Sequence, residues 1–213
     1  MSPPVKRRRY DSSRRQDQAR ETRRVVLAAA HEQFLRDGYA ATTVATVATA
    51  AGVSVETVYK TFGNKPGLVK AVFDVAIAGD DEPVPIMERD MVQRNIAEPD
   101  PRVKLADYAR FVAEVAPRVG PIQFLIREAA AADTGAAVVW AELQEERLLG
   151  MSMFAQHLAE GGHLRDGVTA DEARDVLWVH NSVELWDLLV RQRGWPAERY
   201  GEWIGQQLIA ALL

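Results

Sequence analysis

Cysteine is absent from this chain of 213 residues. Its absence excludes a disulfide framework, a zinc–thiolate site and a cysteine nucleophile. No apolar run approaches the roughly 20 residues that span a bilayer as a helix, and the basic N-terminus lacks the apolar stretch of a signal peptide. The expectation is a soluble, cytoplasmic protein with no membrane partner. Catalytic signatures are missing too: there is no HExxH pair, no G-x-S-x-G elbow, no phosphate-cradling glycine loop and no dinucleotide fingerprint. His31, His157, His163 and His180 are scattered without metal-ligand spacing. The chain reads as neither an enzyme nor a metal protein, and no cofactor is expected. Alternating strand patterns, internal repeats and long heptads are also lacking.

What is present is unevenly charged. Residues 1–70 hold 13 Lys/Arg against 6 Asp/Glu, a net of +7, and residues 71–213 hold 13 against 24, a net of −11. A candidate polyanion-binding surface therefore lies in the N-terminal third. Residues 1–17 carry many arginines, among them Arg14 and Arg15, and little that could build a core. They read as a basic disordered arm, either a solubilising tail or a segment that follows a DNA backbone or enters a minor groove.

Beyond the arm the pattern is helical. Val25, Val26, Ala29, Ala30 and Phe34 recur at three- and four-residue spacing up to Gly38. Thr42 and Thr43 can cap a second helix, with Val44, Val47, Ala48 and Ala51 as its apolar face. Gly52 suits a left-handed turn. Ser54 can cap a third helix with Val58 and Phe62 inward, and Asn64 a fourth, with Pro66 in its first turn. Two short helices separated by the turn at Gly52 are the sequence form of a helix-turn-helix, in which the second helix enters the major groove of DNA. Prolines at 83, 85, 99 and 101 mark a linker with a short helix over 86–95. Helices are expected at 102–118, 121–132, 134–161, 170–193 and 196–212, the fourth of these starting at a Thr169/Glu172 capping box. The fold class is all-α: an N-terminal three-helix DNA-binding domain over 18–64 and a C-terminal helical bundle over 65–213.

The stretch from Arg20 to Phe73 resembles the tetracycline-repressor (TetR) family of bacterial transcriptional regulators. The matching residues are Ala29-Ala30, Phe34, Gly38-Tyr39, Thr42-Thr43-Val44, Ala48, Ala51-Gly52-Val53-Ser54, Thr57-Val58-Tyr59, Phe62, Lys65 and Leu68. The resemblance implies a homodimer on a palindromic double-stranded DNA operator. It also implies dimerisation through the last two helices, and a bundle cavity whose small-molecule effector releases the repressor. By position it sets Ser54, Val55, Glu56, Thr57, Tyr59 and Lys60 on or near the recognition helix, and Thr43 and Lys65 at phosphates.

Each residue has a second reading. Val55 and Thr57 can touch thymine methyls and Glu56 can accept from cytosine N4, but Glu56 also fits a solvated helix face. In the bundle, Tyr108, Phe111, Phe124, Trp140, Met151, Phe154, Trp178 and Trp186 are candidate pocket walls or plain core. Asn181 and Glu184, three apart inside an expected helix, need a partner if buried: a ligand, a second subunit, or Arg127 or Arg147. Leu185, Leu188, Leu189, Trp203, Ile204, Leu208 and Leu212 give the last two helices apolar faces that a dimer would cover. Apart from a regulator, the composition also fits an all-α interaction protein whose basic N-terminus binds a protein or membrane partner.

Overall fold

The computed structural model describes the backbone from Arg7 to Leu213 and side chains from Arg14 onward. The chain divides into two compact units, one ending at Val75 and one running from Ala76 to Leu213. Among the described residues there is no strand.

The first unit holds α1 (Arg7–Ala41), α2 (Val44–Ala51), α3 (Val55–Phe62) and most of α4 (Lys65–Ala78). Gly38 breaks α1 with φ 81° and ψ 168°, so its last residues form a separate turn. The spacing of Val26, Ala30 and Phe34 puts them on one face, and all three are buried, as are Val47, Ala48, Val58, Leu68 and Val72 of the following helices. Phe34 stacks on Tyr39 at 5.9 Å between centroids. Gln33, also buried, donates its Nε2 to the Thr46 carbonyl at 3.1 Å and so ties α1 to α2.

Two expectations change here. Residues 7–17, read as part of a structureless arm, form the opening turns of α1. They contain no glycine or proline, and Arg and Gln are good helix formers able to extend a helix already nucleated by a buried face. Residues 1–6 of that arm lie outside the described residues. The first compact unit extends to Val75, past the expected domain boundary at 64/65. Leu68, Val69 and Val72 of α4 are buried, so the fourth helix serves the first unit's core.

The second unit begins with a 3-10 turn (Ile86–Glu88) and α5 (Asp90–Ala97). It continues with α6 (Pro101–Ala130), α7 (Thr134–Glu160), α8 (Ala170–His180), α9 (Val183–Trp186) running into a π-helical stretch (Asp187–Gln192), and α10 (Ala197–Leu212). α6 lies at the centre, with α10 and α7 packed against it and α8 packed on α7. Gly201 and Gly205 let α10 approach closely: a Cβ at Gly201 would stand 3.1 Å from that of Ala113, and one at Gly205 3.5 Å from that of Ala109. The core joins Leu105, Ala109, Val112, Leu158, Leu177, Trp186, Tyr200 and Ile204.

The helices expected at 102–118 and 121–132 are one helix, α6, with Pro117 and Pro121 inside it. Proline removes a ladder bond, but Val115, Ala116, Val119, Ile122 and Ile126 are buried on either side, and tertiary burial holds the helix through. The helix expected over 170–193 is instead interrupted. Asn181 caps α8 at φ −89°, ψ 10°, and Ser182 turns extended at φ −82°, ψ 139° before α9. Asn181 and Glu184 therefore do not share one helix.

Candidate functional site

Local capping builds the helix-turn-helix. The Thr43 hydroxyl accepts from the Thr46 N–H at 3.1 Å, and the Thr46 hydroxyl accepts from the Thr43 N–H at 3.1 Å. Gly52 takes the left-handed conformation (φ 67°, ψ 30°) and donates to the carbonyls of Ala48 and Thr49. Ser54 starts α3: its Oγ accepts from the Thr57 N–H at 3.1 Å and meets the Thr57 hydroxyl at 2.8 Å.

With Val58 and Phe62 buried, α3 turns Val55, Glu56, Tyr59 and Lys60 to solvent. Val55 is 40 % and Tyr59 51 % exposed, high values for apolar and aromatic side chains on a short helix. Glu56 lies in the first turn and Lys60 in the last, the two ends the helix dipole favours for each charge. Thr43, Arg14 and Arg15 are exposed as well. Lys65 is committed to structure: its Nζ stands 4.1 Å over the Tyr39 ring and donates to the Ala40 carbonyl at 3.4 Å. It steadies the start of α4 against the end of α1.

In the second unit, the structure gathers Tyr108 of α6, Arg147 and Met151 of α7, and Trp178 and Asn181 at the end of α8. The Tyr108 hydroxyl donates to the Met151 Sδ at 3.0 Å, and Asn181 Nδ2 reaches the same sulfur at 3.6 Å. The Arg147 guanidinium lies 4.2 Å over the Trp178 ring, donating to the Trp178 carbonyl at 3.2 Å and to Gln144 Oε1 at 3.1 Å. Burial lowers the pKa of Arg147 and pushes the Tyr108 phenol well above its usual range.

Other candidates fall elsewhere. Arg127 and Glu184 form an ion pair at 2.8 Å with both side chains more than two-fifths exposed, and Arg127 also covers Phe124. No hydrogen bond or ring contact ties Phe111 or Trp140, both half-buried, to the cluster among the described residues. Of the proposed dimer face, Leu185, Leu189 and Trp203 are half-buried and Leu188 is 49 % exposed. Ile204, Leu208 and Leu212 are fully buried in their own bundle. Within the chain, that face of α10 packs against α6. Exposed apolar side chains missed by the sequence reading, Leu148, Leu149 and Met153, lie on α7.

Sequence reasoning also passed over Lys104. It is 1 % exposed, and its Nζ donates to the carbonyls of Asn95 and Ile96 at 2.5 and 3.0 Å and meets His157 Nε2 at 3.1 Å. The signal was a lysine beside Leu105 on the apolar face of α6. Among the described residues no helix is long and apolar enough to cross a membrane.

A helical unit with a capped helix-turn-helix and an exposed second helix, carried with an all-α bundle, has the fold of a helix-turn-helix transcription regulator. Residues 26–72 match the family of bacterial regulatory proteins, tetR family, so the helix-turn-helix unit is similar to the DNA-binding domain of that family. Solved structures match along nearly the whole chain. NalD, the secondary repressor of the MexAB-OprM multidrug efflux pump in Pseudomonas aeruginosa, is 20 % identical with a TM-score of 0.69, over 90 % of this chain and 96 % of its own. FadR from Bacillus subtilis in complex with stearoyl-CoA is 18 % identical with a TM-score of 0.68, over 89 % and 98 %. The fatty acid degradation regulator FadR from Bacillus halodurans is 18 % identical with a TM-score of 0.66, over 89 % and 98 %. At these identities the likeness is one of fold. No curated protein matches the chain.

Proposed function

We propose that this chain is a repressor that binds a palindromic operator as a homodimer and leaves it when a small molecule enters the C-terminal bundle. One observation carries the DNA half of this reading: α3 buries Val58 and Phe62 and turns Val55, Glu56, Tyr59 and Lys60 outward. That face has the size and placement to enter a major groove. Its chemistry is sparse in base readers. Val55 offers a methyl contact, Thr57 is drawn into the Ser54 cap, and Tyr59 and Lys60 suit phosphates. Affinity then leans on Arg14 and Arg15, carried on the helical extension of α1.

The effector half is supported by the polar cluster inside the bundle and by the fold shared with NalD, a repressor, and FadR, solved with stearoyl-CoA. An effector shifts the DNA-binding equilibrium only by its difference in affinity for the two states. The dimer half is supported by the exposed leucines and methionine of α7 and by Leu188.

Selection of duplexes from a random pool, followed by titration of the winner against a scrambled duplex, tests the reading. A regulator enriches a two-fold symmetric site. An all-α interaction protein with a basic end binds both duplexes alike and loses both as salt rises.

A further inference from the structure

The polar cluster inside the second unit has an imbalance of donors over acceptors. Arg147 Nε, Gln144 Nε2 and Trp178 Nε1 are buried without a hydrogen-bond partner among the described residues. They are close together: Arg147 stacks on the Trp178 ring at 4.2 Å and bonds Gln144 Oε1 at 3.1 Å. Two further donors, the Tyr108 hydroxyl and Asn181 Nδ2, converge on a single thioether, the Sδ of Met151. A thioether is a weak acceptor. Buried polar groups without good partners are costly, and an arginine taken out of water needs compensation.

Within the protein that compensation is partial: the guanidinium has the Trp178 carbonyl, Gln144 Oε1 and the Trp178 ring, all neutral. Arg147 forms no ion pair among the described residues, and the carboxylate that acts on it, Glu184, is held at 2.8 Å by Arg127. Three buried donors without partners and one positive charge thus lie in the same cluster as two donors that share a thioether, where an oxygen anion would be better suited.

We propose that the polar cluster between α6, α7 and the end of α8 opens to take an organic monoanion, a carboxylate on an apolar body, with Arg147 as its counter-charge and Tyr108, Gln144, Trp178 and Asn181 as hydrogen-bond donors. A single guanidinium matches one negative charge; a phosphate dianion would stay half uncompensated in a buried site. The Tyr108 ring meets Phe154 edge-on at 5.1 Å, which supplies an apolar wall beside the head group. Met151 is the placeholder. Its unbranched side chain can re-pack, and the entering carboxylate replaces its sulfur as the acceptor. The inference rests on the effector reading above.

The test is a panel of straight-chain carboxylates from hexanoate to hexadecanoate, each beside its alcohol and its trimethylammonium analogue. Binding to the full chain is followed by calorimetry and melting temperature. Carboxylates of some chain length should bind saturably and raise the melting temperature, at least about tenfold tighter than the matched alcohol, the scale of a hydrogen bond to a charged group. Arg147→Met should erase that preference, and Tyr108→Phe should weaken the carboxylate alone. If Arg147→Met does not fold, Tyr108→Phe and Gln144→Ala decide the matter. The proposal is overturned if no carboxylate of the panel binds, if alcohols bind as well, or if the variants that fold keep the preference. Operator release separates this from the effector reading. Carboxylates that bind without loosening DNA uphold the site and remove the effector role; alcohols or amines that loosen DNA while carboxylates do nothing overturn the site and keep the role.

Discussion

Lys104 is a lysine buried to 1 % exposure. Its ammonium has three acceptors, two carbonyls at the end of α5 and His157 Nε2, and the Asn95 side chain donates back to the Lys104 carbonyl at 2.8 Å. The charge-assisted bonds satisfy the carbonyls that α5 leaves open at its C-terminus. Nε2 can accept only if His157 carries its proton on Nδ1. Lys104→Met keeps the length of the side chain and removes the donors, so it should cost about 2–4 kcal/mol in urea denaturation, from orphaned buried acceptors. A second clip joins Arg89 to Asp80 through two bonds of 2.8 Å. The hydrogen bonds from Arg89 lower the Asp80 pKa to about 2. A carboxylate whose folded pKa is depressed adds stability above its unfolded value and loses it as pH falls toward the folded one. Wild type should therefore melt above Asp80→Asn by a constant margin near neutral pH, and the margin should shrink between about pH 4 and 2. Little of this residue-scale detail was legible in the sequence. Lys104 and Gln144 gain their roles from partners brought in by other helices, whereas Ser54 and Thr43 cap their own helices and could be read directly.

Among the elements, those with local signals were legible and those decided by packing were not. Hydroxyl caps at Thr43 and Ser54 and a left-handed glycine at 52 frame α2 and α3 within a few residues. Gly52 has open space where a Cβ would go, so Gly52→Ala should cost only the left-handed backbone term, roughly 1–2 kcal/mol in thermal or chemical denaturation. α6 was misread because Pro117 and Pro121 are strong local stop signals, and only the burial of its face overrides them. The break after His180 was missed for the opposite reason: apolar spacing continues through it, while Asn181 and Ser182 leave the helix. α6 and α9 meet at Gly120, where an added Cβ would lie 2.5 Å from the Trp186 ring. Gly120→Ala should force that buried indole to shift, costing about 1–3 kcal/mol by overpacking. A shifted tryptophan emission spectrum would accompany the loss.

For the whole molecule, the split of charge agrees with the division of labour. The basic third carries the helix-turn-helix and the acidic remainder forms the bundle, so duplex DNA is attracted to one end of the chain. Family and fold class were legible because the helix-turn-helix stores its signals within about twenty residues. The packing of α10 was less legible: part of its apolar stripe is buried against α6, and a pattern alone does not tell an inner face from an outer one. Lys60 is exposed while Lys65 is anchored to Ala40 and Tyr39. Lys60→Ala should therefore weaken binding to all duplexes and lower the salt slope by about one. The central claim, that α3 reads DNA, is tested most directly by anisotropy titration of the full chain with a selected duplex and its scrambled counterpart at physiological salt. The account predicts a preference of at least about a thousandfold for the selected site, largely lost in Val55→Asp with Tyr59→Ala. Equal affinity for the two duplexes, or a preference untouched by those substitutions, would contradict it.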